Sequence, residues 1–340
     1  MRPIEFRSDN AAPTADYVLE AIAQANSGSA MAYGGDAITA ALQQRVSELF
    51  EREARIFPVL TGTAANALGL AAMCPPWGAV ICHEVGHILT SEAAATAAFG
   101  GGIQVTGLPG AGSLLDPTTV AAHLDGVRWD DPHESQPAVL SVTQATELGA
   151  VYPLDRIAEL VELAAERGLR VHLDGARLAN AIAALGCTPA RAVAGVTTFT
   201  LGATKNGVLS TDAIVTFDDR VADELRFRLK RAGQVASKMR YASAQLLAYL
   251  AEDRWIDSAR HANAAMRRLA AGVAALGFTI EPQPEANIAF VAMPDEIRQR
   301  WSKAGVDFYD LGPGRIRLVT SFATSDADVD DALDRLRGIV

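Results

Sequence analysis

The stretch RVHLDGARLANA (residues 170–181) joins an apolar run to a segment of helical periodicity. Asp174 ends the apolar run and is followed by two small residues before the helical pattern begins. In open α/β sheets ligands bind outside the carboxyl ends of the strands, so we expect Asp174 to face a cleft. A carboxylate there could bind a metal ion, cap the following helix or pair with a cation. Arg177, one turn into the helix, could face the same cleft or lie at the surface.

The same alternation extends along most of the chain. Between about residues 36 and 217, short apolar runs alternate with helical patterns, which indicates parallel strands joined by crossover helices. Seven runs in this part predict strands: ARIFPVL, AVICH, IQVTGL, PAVLSV, LRVHLD, TTFTL and DAIVTF. From residue 218 the pattern becomes helical, and strands return at NIAFVAM, DFYDLG and RIRLVTSF. The sequence therefore predicts a large α/β domain over residues 1–240, including an N-terminal arm, and a smaller α+β domain over residues 241–340.

The composition restricts the partners. The 340 residues are 49% hydrophobic and 21% charged, which is typical of globular proteins. A net charge of -10 and the absence of a basic run argue against nucleic acid as a partner. The start, MRPIEFRSDN, lacks the apolar core of a signal peptide, and the most apolar stretch is interrupted by polar residues. We expect a soluble cytoplasmic protein with no membrane partner, no metal site and three reduced, packed cysteines.

A second stretch, LGATKNG (residues 201–207), places Lys205 where another apolar run ends. A lysine there can simply close a strand at the surface. If both strands belong to one sheet, however, Lys205 and Asp174 reach the same rim. Pyridoxal phosphate needs such a pair, because an anion keeps its ring nitrogen protonated and a lysine amine holds its aldehyde as a Schiff base. The small neighbours of Lys205 leave room for a flat ring.

A phosphate-binding turn is expected in LTGTAANALGL (residues 60–70), where Gly62 and Thr63 lead directly into a helix. The unpaired N–H groups and the dipole at a helix N-terminus suit a dianion. Thr and Gly at that place also form ordinary caps. The sequence therefore predicts a phosphate site here only in combination with Lys205 and Asp174.

The remaining candidates would contact the ring or the substrate. CHEVGHIL (residues 82–89) places His83 and His87 after a strand, and either could stack on a flat cofactor or be a satisfied surface histidine. The carboxylate of an amino-acid substrate suits a bidentate arginine. Arg317, in RIRLVTS, and Ser8, in FRSDN, are the candidates for that contact.

Seven motifs, in order, resemble the L-threonine aldolases among the fold-type I, aspartate-aminotransferase-like pyridoxal-phosphate enzymes. They run over nearly the whole chain: FRSDN, AYGGDAITAALQ, TGTAAN, HLDGAR, TKNG, NIAF and RLVTS. HLDGAR and TGTAAN are fairly specific to the threonine aldolase and β-eliminating lyase group. The resemblance implies a mainly parallel seven-stranded sheet and a homotetramer with active sites between subunits. It also implies reversible cleavage of L-threonine, L-allo-threonine and related β-hydroxy-α-amino acids to glycine and an aldehyde.

The resemblance also implies a role for each matching residue. Lys205 corresponds to the Schiff-base lysine, Asp174 to the partner of the pyridine nitrogen, and His87 to the imidazole stacked on the ring. His87, or a water beside it, would take the proton of the substrate hydroxyl. Gly62 and Thr63 correspond to the phosphate-binding turn.

Other matching residues would contact the substrate or a second subunit. Three of them correspond to groups near the substrate carboxylate and the cofactor's phenolic oxygen: Ser8, Arg177 and Arg317. Lys230, in RLKRAG, resembles a basic residue that reaches the phosphate of a neighbouring subunit's cofactor, and Arg231 is the competing candidate. Tyr33, in AYGGD, lies in a segment that the family brings near the site across the dimer interface.

One motif departs from the family pattern. Many members have a histidine in a THNG-like turn that contacts the substrate hydroxyl, whereas this chain has ATELG with Glu147. Glu147 could act as the base or only form a turn. Alternatives to a threonine aldolase are a phenylserine-preferring aldolase, a pyridoxal-phosphate β-eliminating lyase acting on another amino acid, and a cofactor-binding protein without turnover. The intact set of Lys205, Asp174 and Arg317 argues against the last.

Overall fold

The structure is a computed structural model that describes residues 2–340. The strands of the described chain are β1 (Ile4–Glu5), β2 (Arg55–Val59), β3 (Gly78–His83), β4 (Gln104–Leu108), β5 (Gln136–Thr143), β6 (Arg170–Gly175), β7 (Thr198–Leu201), β8 (Asp212–Thr216), β9 (Thr279–Ile280), β10 (Ile288–Ala292), β11 (Val306–Asp307), β12 (Tyr309–Asp310) and β13 (Arg315–Val319).

The α-helices of the described chain are α1 (Asp16–Ala25), α2 (Ala37–Leu49), α3 (Gly62–Met73), α4 (His87–Thr90), α5 (Ala95–Gly100), α6 (Pro117–Asp125), α7 (Leu154–Glu166), α8 (Leu178–Leu185), α9 (Pro189–Ala192), α10 (Asp219–Arg231), α11 (Met239–Tyr249), α12 (Arg254–Ala275), α13 (Asp295–Lys303) and α14 (Asp326–Arg337). Short 3-10 helices lie at Asp9–Ala11, Ala111–Ser113 and Thr204–Asn206.

The largest sheet has seven strands in the order β2-β8-β7-β6-β5-β3-β4. Neighbouring strands are parallel except at β8, which runs antiparallel to both β2 and β7. The predicted seven-stranded, mainly parallel sheet is therefore confirmed, and each of its strands overlaps one of the predicted apolar runs, with ends that differ by at most one residue. Pro58 lies in β2, an edge strand, where the missing N–H of proline does not interrupt a central ladder.

Both faces of this sheet are covered, which explains why its strands are apolar runs and not alternating patterns. Every residue of β3 and of β8 is buried. In β5, Val139 packs into a core with Leu68 and Leu70 of α3, whereas Leu140 packs on the opposite face with Leu160 of α7 and Leu178 of α8. Successive side chains of one strand thus belong to two cores, as the two-residue period of a strand requires.

The C-terminal part of the chain contains a second, antiparallel sheet in the order β12-β13-β10-β9. Leu269 of α12 and Leu318 of β13 lie in its core, and β1 pairs in parallel with β11. Ala259 at the other end of α12 packs into the core of the large sheet. Because one helix contributes to both cores, the predicted division between residues 240 and 241 stays a prediction.

Two further features bear on the expected partners. Across residues 2–340, no helix combines the length and the apolar character that crossing a bilayer requires. The three cysteines are free thiols, and burial raises the pKa of Cys74 and of Cys82 to about 12. Both of these thiols are therefore packed side chains that stay protonated at neutral pH.

The packing of the smaller core, beside the antiparallel sheet, can be tested by a substitution at Trp301. This residue is fully buried, its ring centroid lies 5.4 Å from that of Phe308, and its indole N–H donates to the carbonyl of Ala332 at 3.0 Å. We expect Trp301→Ala to lower the free energy of unfolding by about 3–5 kcal/mol, because it leaves a cavity and an unpaired carbonyl. Urea denaturation followed by circular dichroism measures the loss.

The matched control is Trp77→Ala, since the side chain of Trp77 is 69% exposed. A surface substitution of this kind should change the free energy of unfolding by no more than about 0.5 kcal/mol. Equal effects of the two substitutions would contradict the packing described for the smaller core.

Candidate active site

A cleft of about 450 Å³ lies beyond the carboxyl ends of β5, β6 and β7. Thr143 and Asp174 come from the ends of β5 and β6, and Gly202 follows β7. Seven of the residues singled out from the sequence line this cleft: Gly62, Thr63, His87, Glu147, Asp174, Arg177 and Lys205. Parallel strands that end at one edge have thus brought residues from five separate segments of the chain together.

Asp174 is a buried carboxylate whose two oxygens are held by different partners. Oδ2 accepts a hydrogen bond from Nδ2 of Asn66 at 2.8 Å, and Oδ1 accepts one from the N–H of Ala176 at 3.0 Å. Helix α8 begins four residues later, at Leu178, and has no side-chain cap. The alternative of a simple helix cap is therefore not what this aspartate does.

Asn66 links Asp174 to the imidazole of His87. Its Nδ2 also donates to Oε1 of Glu92 at 2.8 Å, and its Oδ1 accepts from the hydroxyl of Thr200 at 2.6 Å. Oε1 of Glu92 lies 2.8 Å from Nδ1 of His87. This hydrogen bond raises the pKa of His87, although burial acts in the opposite direction. The ring of His87 is thus oriented by a buried carboxylate and leaves Nε2 free for a ligand.

Lys205 lies in the 3-10 turn after β7 and is partly buried. Burial lowers the pKa of its amine, and Arg177 lowers it further, so more of the amine is neutral than in a surface lysine. A Cβ added at Gly202 would lie 2.5 Å from the carbonyl oxygen of Ala176. Glycine is needed there because the segment that carries Lys205 passes directly against the segment that follows Asp174.

Asp212, at the start of β8, holds the turn that carries Lys205. Its Oδ1 accepts from the N–H groups of Ala203 and Thr204 at 2.8 Å and 3.0 Å, and from the Thr204 hydroxyl at 3.1 Å. Burial raises the pKa of Asp212, whereas these hydrogen bonds lower it. The position of Lys205 therefore depends on a neighbouring strand as well as on β7.

Arg177 forms a bidentate ion pair with Asp9, in which Nε donates to Oδ2 at 2.7 Å and Nη2 donates to Oδ1 at 2.9 Å. Asp9 also accepts a hydrogen bond from Nδ2 of Asn287 at 3.1 Å. Burial alone would raise the pKa of Asp9, but Arg177, with Lys205 and Asn287, more than offsets it, so this pKa lies below its ordinary value. The carboxylate is ionised at neutral pH.

Arg317 lies close to this ion pair but outside the lining of the cleft. Burial and the charge of Arg177 lower its pKa, its guanidinium lies 4.6 Å from the ring centroid of Tyr309, and its Nε is buried without a hydrogen-bond partner. Two guanidiniums thus lie near one buried carboxylate, Asp9, which is hydrogen-bonded to Arg177 and acts on Arg317 only through its charge. This end of the site carries an excess of positive charge that suits a bound anion.

The N-terminus of α3 opens into the cleft. Thr61 is its N-cap and accepts a hydrogen bond from the N–H of Ala64 at 3.1 Å. The N–H groups of the first residues, Gly62 and Thr63, have no partner within the helix. Together with the helix dipole they form an anion-binding turn on the wall of the cleft.

Three of the residues singled out from the sequence line other depressions of the surface. Ser8 caps the 3-10 helix Asp9–Ala11 by accepting from the N–H of Asn10 at 3.2 Å. Tyr33 and Lys230 lie together, with Nζ of the lysine 4.5 Å from the ring centroid. Their predicted contact with the site of a neighbouring subunit stays a prediction.

Of the two histidines in CHEVGHIL, only His87 lines the cleft. Nδ1 of His83 accepts from the N–H of Val85 at 3.2 Å, so Nε2 carries the proton and donates to the carbonyl of Gly110 at 2.9 Å. Both ring nitrogens of His83 are therefore satisfied within the protein.

Four polar residues of this network were not singled out from the sequence: Asp9, Asn66, Glu92 and Asp212. Asp9 and Asn66 lie inside the motifs FRSDN and TGTAAN, so those motifs were the available signal. Glu92 and Asp212 belong to none of the motifs. Within residues 2–340, no three His, Cys, Asp or Glu side chains are grouped as the ligands of a metal ion would be.

Comparison with known proteins agrees with this arrangement. The family model described as beta-eliminating lyase matches residues 5–296. A low-specificity L-threonine aldolase of a Pseudomonas species is 35% identical over 340 residues, covering 99% of this chain and 98% of that protein. The structure of Leishmania major threonine aldolase covers 99% of both chains at 26% identity, with a TM-score of 0.93.

A more distant structure identifies the fold class. A single mutant of Thermus thermophilus aspartate aminotransferase covers 100% of this chain and 92% of its own at 20% identity, with a TM-score of 0.70. At this identity the likeness concerns the fold alone. The expected aspartate-aminotransferase-like, fold-type I architecture is confirmed.

The contact between Glu92 and His87 can be tested by titration. Glu92→Gln removes the carboxylate that raises the pKa of His87, so we expect this pKa to fall. NMR spectra of the imidazole signals recorded against pH measure it, with the His87 signal assigned from His87→Asn.

His172 is the internal control, because burial lowers its pKa to about 4. Its signal should stay constant above about pH 6 in both proteins. A His87 pKa that is the same in wild type and Glu92→Gln would contradict the contact.

Proposed function

The chain belongs to the β-eliminating lyase family, and we propose that it is a pyridoxal-phosphate-dependent L-threonine aldolase of low specificity. It cleaves L-threonine, L-allo-threonine and related β-hydroxy-α-amino acids to glycine and an aldehyde, which is acetaldehyde for threonine, and the reaction is reversible. One observation carries this proposal: Lys205, Asp174, His87 and the N-terminus of α3 line a single cleft in a chain that resembles threonine aldolases over its whole length.

The residues of the cleft fit pyridoxal phosphate. Lys205 would bind its aldehyde carbon, Asp174 would pair with its ring nitrogen, and His87 would lie against its ring. The N–H groups and hydroxyls at Gly62 and Thr63 would bind its phosphate. When bound, the cofactor supplies a cationic aromatic ring that takes up the electron pair released as a bond at Cα breaks.

The surroundings of Lys205 and Asp174 suit these tasks. Burial lowers the pKa of Lys205, so a larger fraction of its amine is uncharged than in a surface lysine, and an uncharged amine is the form that attacks a carbonyl carbon. Asp174 would keep the proton on the ring nitrogen. Its hydrogen bonds from Asn66 and Ala176 fix the carboxylate in one orientation, so no reorganisation is needed when charge develops.

The substrate carboxylate would bind at the cationic end of the site. Arg177 and Arg317 are the candidates there, with Ser8 nearby on the N-terminal segment. Fixing the carboxylate orients the other bonds at Cα, which selects the bond that breaks. The proton of the β-hydroxyl would pass to Nε2 of His87 or to a water beside it, and the raised pKa of this imidazole makes it a stronger base.

We also propose a cytoplasmic homotetramer with active sites between subunits, built from a large domain (residues 1–240) and a small one (residues 241–340). Exposed apolar side chains support an interface beside Lys230: Met31 is 74% exposed, Tyr33 59% and Phe227 73%. Large exposed apolar groups of this kind mark surfaces that bind another protein. The free cysteines suit the cytoplasm, where thiols stay reduced.

A second candidate is a β-eliminating lyase that acts on another amino acid, because the matching family model carries that description. The reaction products distinguish the two candidate activities. Cleavage of threonine yields glycine and acetaldehyde, whereas elimination yields ammonia and a keto acid. A phenylserine-preferring aldolase would release benzaldehyde. Assaying all these products from purified holoenzyme tests the proposal.

Lys205→Ala tests the covalent contact. We expect the wild type to be yellow as purified, and the variant to lose this absorption and to lose at least about 10³-fold in threonine cleavage, because Lys205 is the one lysine among the described residues that line the cleft. Visible spectra and a glycine assay measure the two effects.

Lys303→Ala is the matched control, since Lys303 is exposed at the end of α13. This variant should keep both colour and activity. A Lys205→Ala protein with wild-type turnover would rule out the assignment of Lys205, and a wild type that stays colourless with pyridoxal phosphate would rule out the cofactor.

A further inference from the structure

Glu147, in the loop after β5, presents a carboxyl group to the cleft that is held by one oxygen only. Oε1 accepts hydrogen bonds from the N–H of His87 at 2.8 Å and from the hydroxyl of Thr143 at 3.0 Å. Oε2 is buried and has no hydrogen-bond partner among the described residues. A buried polar atom without a partner costs free energy, so its place in a ligand-sized cleft calls for an explanation.

The surroundings of Glu147 favour the neutral carboxylic acid. Burial raises its pKa, the nearby charge of Asp174 adds to the effect, and the hydrogen bonds from N–H groups and from Thr143 only partly offset it. The adjacent Cys82 and Tyr152 also have raised pKa values and are uncharged at neutral pH. A neutral carboxyl whose Oε1 already accepts two hydrogen bonds has its O–H left to donate.

The position of Glu147 in the cleft indicates which substrate atom would accept a hydrogen bond from its O–H. The substrate carboxylate is an anion, and it suits the guanidinium end of the site and not a carboxyl group beside Asp174. The uncharged oxygen of a β-hydroxy-α-amino acid is the one on Cβ. Glu147 also contacts the main chain of His87, so both lie at the same end of the cleft.

We propose that Glu147, as a neutral carboxylic acid, binds the oxygen on Cβ of the substrate by donating its O–H to it. Oε1 meanwhile stays bonded to His87 and Thr143. Glu147 keeps its proton throughout, so it is a binding residue and not the base. The inference rests on the proposed function and adds that this hydrogen bond selects amino acids with an oxygen on Cβ.

Two substitutions separate this role from that of a base. Glu147→Gln keeps a donor and an acceptor in the same shape, whereas Glu147→Leu keeps the approximate size and removes both. We expect kcat/KM for threonine to stay within about tenfold of wild type in Glu147→Gln. In Glu147→Leu it should fall about 10²–10³-fold, as when one donor to a developing oxyanion is removed. Equal large losses in both variants would indicate a base and overturn the proposal.

Glycine provides the matched ligand control, because it has no Cβ. Its dissociation constant, measured by titration of the cofactor's visible spectrum, should stay within about threefold of wild type in both variants. A parallel loss of glycine binding would mean that Glu147 only shapes the cleft, and it would also overturn the proposal.

Infrared difference spectra provide a readout that does not depend on turnover. Wild type minus Glu147→Gln, at neutral pH and without substrate, should contain the C=O stretching band of a protonated carboxylic acid. The bands of an ionised carboxylate in its place would overturn the proposal, and this test needs only the conservative variant to fold.

The outcomes also distinguish this inference from the proposed function. If the wild-type holoenzyme releases no glycine and aldehyde from any β-hydroxy-α-amino acid, the proposed function fails. If the wild type cleaves threonine and Glu147→Leu is equally active, only the role of Glu147 fails.

Discussion

The side-chain amide of Asn66 fixes the site, because it joins three walls of the cleft. It is buried, its N–H groups donate to Asp174 and to Glu92, and its oxygen accepts from Thr200. The opposite orientation of the amide would place its oxygen against two carboxylates, so the network allows only one orientation. The N-terminal turn of α3, the end of β6 and, through Glu92, the ring of His87 are thereby held at fixed separations.

Negatively and positively charged side chains lie at different ends of the cleft, so the cleft is electrostatically polarised. Carboxylates surround Asn66, whereas at the other end Arg177 binds Asp9 and Arg317 lies near this pair, just outside the lining of the cleft. Lys205 lies under the influence of both: burial lowers the pKa of its amine most, Arg177 lowers it further, and three carboxylates raise it, namely Asp9, Asp174 and Asp212. Threonine is a zwitterion with an uncharged side chain, so a cleft that is polarised in this way favours one orientation of it.

The strand pattern could predict the edge of the sheet where the site lies, but not the contacts that hold it. Lys205 and Asp174 could be placed together because a parallel sheet sends the ends of its strands to one edge. Asn66 and Asp174 are 108 residues apart, and Asp9 and Arg177 are 168 apart. Such pairs depend on how distant segments pack, which local periodicity does not contain. Glu92 follows a short helix in an alanine-rich stretch, where no local pattern distinguishes a buried carboxylate from a surface one.

The family pattern suggests two arginines, Arg177 and Arg317, for binding the substrate carboxylate. Their contacts within the protein differ. Nε and Nη2 of Arg177 already bind both oxygens of Asp9, so that edge of the guanidinium is occupied by a carboxylate of the protein itself. Nε of Arg317 is buried without a partner, and burial with the nearby charge of Arg177 lowers its pKa. A desolvated cation beside a like charge is stabilised most by a new anion, because that anion offsets both unfavourable terms at once. These contacts support the proposal that Arg317, which lies just outside the lining of the cleft, gains most from a substrate carboxylate, with Arg177 positioned by Asp9 beside it.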